Sequence, residues 1–247
     1  MIIEIKDIRK YIQLCTLGDT HGVVDFFGER LIEYDFHDTV VFQVGDFGMG
    51  CYPKENEDIR LDWLNEILVE RNVFVYAIRG NHDEKVYFNN NWVRSNIMLV
   101  ADYTIVEVNV EDRVERIFCF GGAISVDRLK RPGLGKAWWA DEVCVFDDVM
   151  INEVRNITMV VCHTAPDQVE PYFNNDLVNF CAVKDLTLID ELFKERRSMT
   201  YMIDVLKKNN PDTLTKCYYG HFHFQSTGEY NGIEFRLLKI NELCLSL

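Results

Sequence analysis

Three apolar runs near the start of the chain each close on a glycine followed by polar residues, and this recurrence limits the fold more than any other feature. Tyr11 to Leu17 reads as a strand ending at Gly18, Thr39 to Val44 as a strand ending at Gly45, and Val73 to Ile78 as a strand ending at Gly80. Between them, Val23 to Tyr34 places Val24, Phe27, Leu31 and Tyr34 at helical spacing, and Asp58 to Arg71 puts Leu61, Leu64 and Leu68 on one face. A strand returning about every 30 residues with a helix between is the size of a parallel crossover unit. The order is βαβαβ, so the three strands share direction and their C-terminal ends share one edge, where ligands bind in open α/β sheets.

Further strands are expected at Ile97 to Val100, Tyr103 to Val110, Val114 to Phe120 and Ile157 to Cys162. Asp185 to Lys208 reads as one or two helices, stopped by Asn209, Asn210 and Pro211. Lys216 to Tyr219, Phe224 to Tyr230 and Ile233 to Leu238 complete the strands, with Asn231-Gly232 a hairpin turn. No repeat, low-complexity tract or Pro-rich or Ser-rich linker interrupts the chain, so residues 1–247 are expected to form a single α/β domain of two packed sheets flanked by helices.

Composition narrows the partners. The 247 residues are 48% apolar, enough for a well-filled core. Forty acids against 26 bases give a net charge of −14, which opposes general binding to nucleic acid or an anionic membrane surface. A phosphate-bearing substrate would need local positive charge, from metal ions or a few placed Arg and Lys. Met1 to Leu14 carries Glu4, Lys6, Asp7, Arg9 and Lys10 and so lacks a signal-peptide core. No stretch approaches the roughly 18 apolar residues of a membrane span. The eight cysteines are dispersed through apolar runs with no Cys-x-x-Cys pair, as expected of reduced, buried thiols in a cytoplasmic protein.

Five polar clusters carry the chemistry. Gly18-Asp19-Thr20-His21, Gly45-Asp46, Gly80-Asn81-His82-Asp83, Cys162-His163 and Gly220-His221-Phe222-His223 each follow an expected strand. Taken singly, each reads as an ordinary turn or helix cap. Five of the six histidines fall in them, however, and the set of Asp, Asn and His side chains suits transition metals such as manganese, iron and zinc.

The ordered series resembles the calcineurin-like metallophosphoesterase family, whose Asp-x-His, Gly-Asp, Gly-Asn-His-Asp/Glu, isolated His and Gly-His-x-His blocks all occur in order from Gly18 to His223. The resemblance implies an α/β/β/α sandwich with a dinuclear metal centre at the strand ends. Carried over, Asp19, His21 and His223 hold one ion, Asn81, His163 and His221 the other, and Asp46 bridges them. Two divalent ions, manganese first and iron, zinc, nickel or cobalt as alternatives, would then activate a bridging water for direct attack on phosphorus. By the same resemblance His82 is the general acid toward the leaving oxygen, with Asp83 fixing its tautomer and raising its basicity.

Two departures separate this chain from the Ser/Thr protein phosphatase branch. Asp46 is followed by Phe47-Gly48-Met49-Gly50 in place of a longer turn ending in a phosphate-gripping Arg, and Asp83 stands where that branch carries Glu. A substitute grip is expected in the loop Gly121 to Trp139, where Arg128, Lys130, Arg131 and Lys136 outnumber Asp127. There Arg128 or Arg131 would contact phosphate and Trp138 or Trp139 would form an aromatic wall. Arg79 and Arg94 are weaker candidates, each suited to pairing with a local acid, and His37 is a surface turn residue.

Other phosphatase chemistries are excluded by their own spacing. No Cys is followed six positions later by Arg, no Asp-x-Asp occurs, and neither a P-loop nor a Gly-x-Ser-x-Gly elbow is present. The expected activity is hydrolysis of small or nucleotide-derived phosphomonoesters or phosphodiesters. A phosphoprotein substrate is the alternative within that class, and a non-catalytic metal-binding scaffold the alternative outside it.

Overall fold

The computed structural model describes residues 1–134, 137–171 and 176–246. Within these residues the first sheet is built on β2 (Gln13–Leu17), β3 (Thr39–Gln43), β4 (Phe74–Ile78) and β6 (Ile97–Val100), all parallel. The edge strands β13 (Leu243–Leu245) and β5 (Asn91–Arg94) pair antiparallel to β2 and β6. Helices α1 (Asp25–Glu33) and α2 (Lys54–Glu70) make the crossovers. The central strands are buried on both faces, which is why they read as continuous apolar runs without polar alternation.

The second sheet has the order β1 (Ile3–Tyr11), β7 (Thr104–Val110), β8 (Arg113–Phe120), β9 (Met159–Cys162), β10 (Lys216–Tyr219), β12 (Ile233–Leu237) and β11 (Ser226–Tyr230). Strands β8, β9, β10 and β12 run parallel, while β11 and β12 form the hairpin signalled by Asn231-Gly232, whose φ values of 52° and 68° are those of a type I′ turn. Alternate side chains sort into layers. Val41, Val75 and Ala77 face α1 and α2, whereas Phe42, Tyr76, Val106, Ile117 and Val161 fill the space between the sheets. Phe118, Val160 and Cys162 pack outward with residues of α3 (Asp148–Glu153) and α5 (Leu188–Asn209). The result is the α/β/β/α sandwich.

Several boundaries differ from expectation. Helix α2 starts at Lys54, directly after Pro53 and four residues before Asp58, with Glu55 and Glu57 favouring its positive end. Strand β1 was hidden by its charges: it is an edge strand with much of its length exposed, and its inward Asp7 is satisfied by the Tyr11 and Tyr76 hydroxyls at 2.5 and 2.7 Å. The region 185–208 holds a single helix, α5, preceded by the separate α4 (Asp176–Ala182). All eight cysteines are free, and among the described residues no helix is long and apolar enough to cross a membrane.

Candidate metal centre

The C-terminal ends of β2, β3 and β4 in one sheet and of β9 and β10 in the other meet along one edge of the sandwich. Each delivers a cluster: Asp19 and His21 after β2, Asp46 after β3, Asn81 and His82 after β4, His163 after β9, and His221 and His223 after β10. Two glycines make room for the carboxylates. A Cβ at Gly80 would lie 2.1 Å from Asp46 Oδ1, and one at Gly220 would lie 2.1 Å from Asp19 Oδ1. His21, Asp46, His221 and His223 all have left-handed backbones, with φ of 49°, 57°, 72° and 64°. Such conformations cost non-glycine residues energy and persist where the surroundings enforce them, commonly at functional sites.

Around Asp46 the expected ligands converge. Ligand atoms of Asp19, His21, Asp46 and His223 all lie within 4.8 Å of one another. His21 Nε2 is 3.0 Å from His223 Nε2, His223 Nε2 is 3.2 Å from Asp19 Oδ2, and His21 Nδ1 is 3.6 Å from Asp46 Oδ2. On the other side, Asn81 Oδ1 is 3.0 Å from His163 Nε2 and 2.8 Å from His221 Nδ1, and His163 Nε2 is 3.3 Å from Asp46 Oδ1. The His163 Nδ1–H donates to the Val44 carbonyl at 2.8 Å, which turns Nε2 toward the cluster, the arrangement usual for a ligating histidine.

The donor set fits divalent cations. Asp46 is fully buried; its Oδ1 accepts from the His82 backbone N–H at 2.7 Å, while its Oδ2 has no hydrogen-bond partner among the described residues. A buried carboxylate oxygen without a protein partner is a place for a cation or a water. Burial pushes the Asp46 carboxyl up, yet His163, His82 and His21 outweigh it and hold it well below the ordinary range. Burial also lowers His21 and, together with the neighbouring His163, pushes His221 well down, so both imidazoles stay neutral. Burial disfavours charge on His163 as well, but Asp46 and Asp19 raise it to about 10. A proton and a cation therefore compete at this point, and cation binding releases protons.

Asp83 does not do what the sequence suggested. Its carboxylate accepts backbone N–H groups from Phe47, Gly48, Met49 and Gly80 at 3.0, 2.6, 2.9 and 2.7 Å, which occupies both oxygens and clamps the Asp46 turn to the end of β4. Burial and the nearby Asp46 charge raise its pKa to about 6 against those bonds. The partner of the His82 ring is Arg131, whose Nη2 lies 2.6 Å from His82 Nε2. Donation by the guanidinium leaves the imidazole proton on Nδ1. Burial, reinforced by Arg131 and opposed by Asp46, lowers His82 to about 4, so its basicity falls where a rise was expected.

The basic loop divides. Arg131 is buried, its Nε donates to Asp127 at 2.6 Å, and its Nη1 has no hydrogen-bond partner among the described residues. Arg128 points away: it donates from Nε to Asp185 at 2.7 Å and also to Glu191 and Thr187, so its donors are committed to holding the loop against the start of α5. Arg128 thus anchors the loop and, unlike Arg131, is not among the residues lining the cavity above the cluster. Lys130 lies 3.9 Å over the Phe180 ring, and Gly135 and Lys136 fall outside the described residues. Trp138 and Trp139 do not line the cavity of about 410 Å³ above the cluster; its aromatic wall is Phe222 and Phe224. Arg79 pairs with Asp102 at 2.8 Å, Arg94 with Asp58 and Asp62, and His37 with Asp38 on the surface.

Two residues escaped sequence reasoning altogether. Asn81 Nδ2 donates to Ser125 Oγ at 2.9 Å, and Ser125 donates to Glu142 from Oγ at 2.6 Å and from its backbone N–H at 2.7 Å. Arg79 holds the Glu142 segment by donating to the Glu142 and Val143 carbonyls, both at 2.9 Å. No sequence signal marks this chain, because its members lie in loops joined only by the fold. Phe222 and Phe224 did carry one, the alternation His221-Phe222-His223-Phe224.

Carboxylates, a carboxamide and imidazoles brought from two sheets to one buried point define a metal-dependent hydrolase. The chain belongs to the calcineurin-like phosphoesterase family, whose model matches residues 13–225. It is accordingly a phosphoric ester hydrolase by class. No curated protein matches the sequence significantly. Among solved structures, it is similar to the phosphopantetheinyl hydrolase PptH of Mycobacterium tuberculosis, at 12% identity and a TM-score of 0.45, over 93% of this chain and 90% of that one. It is also similar to a candidate 5′-nucleotidase of Staphylococcus aureus solved with alpha-ketoglutarate, at 13% identity and a TM-score of 0.48, over 94% of this chain and 52% of that one. The chain thus spans about half the length of the second protein.

Proposed function

We propose that the protein hydrolyses P–O bonds of small phosphate esters at a centre that holds two divalent ions, manganese first among the candidates. The observation that carries this reading is the buried, unpartnered Oδ2 of Asp46, with Asp19, His21 and His223 to one side and Asn81, His163 and His221 to the other. Bound divalent cations supply Lewis acidity toward the phosphoryl oxygen and acidify water at neutral pH. The mixture of oxygen and imidazole ligands supports a first-row metal such as manganese.

The chain's own groups do the rest. Arg131 offers its unpaired Nη1 to the phosphate while Asp127 holds the guanidinium in place. His82 borders the same cavity and is the group proposed to hydrogen-bond the leaving oxygen. The cavity of about 410 Å³ is of a size for small molecules. Thiols dispersed through the chain and mostly buried suit a reducing compartment, and the cytoplasm is the location proposed.

Metal analysis and a substrate panel test the reading together. Protein purified with manganese should carry close to two ions per chain, and Asp46→Asn should lower both retention and turnover. An aryl phosphomonoester, an aryl phosphodiester, a nucleotide and a phosphopeptide then report the ester class. Protein that takes up no metal and cleaves none of them would overturn the proposal, and metal uptake without hydrolysis would indicate a binding scaffold.

A further inference from the structure

The cavity above the metal ligands has two unlike halves. One is bounded by Asp46, Asn81, His82, His221 and His223, with Arg131 beside them. The other is bounded by Val126, Val178, Leu192, Phe222 and Phe224. This second half is backed by packed structure: Val178 of α4 and Leu192 of α5 belong to one buried cluster with Ile124, Cys181 and Leu188, and Val126 packs against it. Among the described residues, the polar ones on that side are engaged within the protein. Asp127 receives Arg131 Nε, and Arg196 donates to the carbonyls of Ala165, Pro166, Val169 and Pro171.

A ligand that fills such a cavity must be strongly charged at one end and apolar at the other. Resting on the phosphoesterase reading, we propose that the substrate is a phosphate ester of an apolar alcohol, aromatic or alkyl. Its phosphate lies beside Arg131 over the metal-ligand cluster, and its organic group lies against Phe222, Phe224, Val178 and Leu192. Burying apolar surface there is favourable in proportion to area. A ribose or glycerol moiety in the same place would give up hydrogen bonds to water without replacement. The selectivity therefore comes from attraction of the apolar group and from the desolvation of hydroxyls.

The test compares octyl phosphate and benzyl phosphate with glycerol phosphate and adenosine monophosphate, using the manganese-loaded full chain. All four are esters of aliphatic alcohols, so binding decides the order. We expect kcat/KM for the octyl and benzyl esters to exceed the other two by about tenfold or more, mainly through KM. Leu192→Ala and Phe224→Ala should bring the octyl-to-glycerol ratio of kcat/KM toward one, whereas general damage to the fold would lower both rates and leave the ratio. Equal or faster cleavage of glycerol phosphate and adenosine monophosphate would overturn the apolar substrate and leave the phosphoesterase reading standing. Cleavage of none of the four would overturn the apolar monoester substrate, and the phosphoesterase reading would fall with it only if the aryl diester and the phosphopeptide were also left intact.

Discussion

The Ser125 hydroxyl accepts from the Asn81 carboxamide at 2.9 Å, and that bond decides which end of the amide meets the histidines. With Nδ2 turned to Ser125, Oδ1 faces His163 and His221, and Glu142 fixes the hydroxyl in turn by accepting its proton. Removing the hydroxyl frees the amide to rotate and present N–H donors where a cation needs an oxygen. Ser125→Ala should weaken manganese binding about 10- to 100-fold, the range found when groups supporting metal ligands are lost. Thermal stability of the metal-free protein should fall by only about 1 kcal/mol. Calorimetric titration of metal-free protein measures this, and unchanged manganese affinity would remove Ser125 from the site.

Arg128 and Arg131 lie three residues apart on one loop and have opposite roles. Arg131 borders the cavity with Nη1 unpaired, so Arg131→Ala should raise KM for a phosphate ester roughly tenfold or more. Arg131→Lys should recover little of this, since an ammonium cannot hold Asp127 and the His82 ring from one planar fork. Arg128→Ala should leave KM alone and cost about 1–2 kcal/mol of stability, through the loss of its bonds to Asp185 and Glu191. Steady-state kinetics and thermal melting on the same samples separate the two; a KM effect at Arg128 would contradict the division.

Asp83 should prove essential to the turn and not to proton transfer. An Asn at this position presents one acceptor oxygen to the four N–H groups that Asp83 now receives. Asp83→Asn should therefore lower the stability of the metal-free protein by about 2 kcal/mol or more, and metal retention should fall with the placement of Asp46. Melting without metal is the deciding measurement. If stability is unchanged and only turnover falls, the catalytic role expected from the sequence is restored.

What the sequence disclosed and what it hid divide along one physical line. The first three strand ends were legible because a parallel sheet collects C-terminal ends on one edge, which groups Asp19, Asp46 and Asn81; His163 and His221 stand on the other sheet, and only the family resemblance joined them to the first three. Asp83 was misread because adjacency to His82 in the chain says nothing of direction, and its side chain turns back beneath the Asp46 turn. Arg128 and Arg131 are alike in local sequence and are told apart by distant partners, Asp185 at 57 residues for Arg128 and His82 at 49 residues for Arg131. Ser125 and Glu142 were invisible, since a hydrogen bond spanning 44 residues from Asn81 to Ser125 leaves no local periodicity. Strand β1 was missed because an exposed edge strand need not be apolar.

Glu195 makes the stability of the fold depend on pH. It lies buried on α5, its Oε1 has no hydrogen-bond partner among the described residues, and burial raises its pKa from 4.5 to about 7, against backbone N–H groups of Ile124 and Cys144. A carboxyl whose folded pKa exceeds its unfolded value favours the fold while protonated. Its contribution is complete below about pH 4.5, declines as pH rises, and is gone above about pH 7. The wild type should lose on the order of 2 to 3 kcal/mol between these limits from this residue, whereas Glu195→Gln, which does not titrate, should lack that component. Urea unfolding of both proteins at pH 5 and pH 8 gives the comparison. Parallel declines in the two would show that Glu195 ionises without cost, and the source of any pH dependence would lie elsewhere in the core.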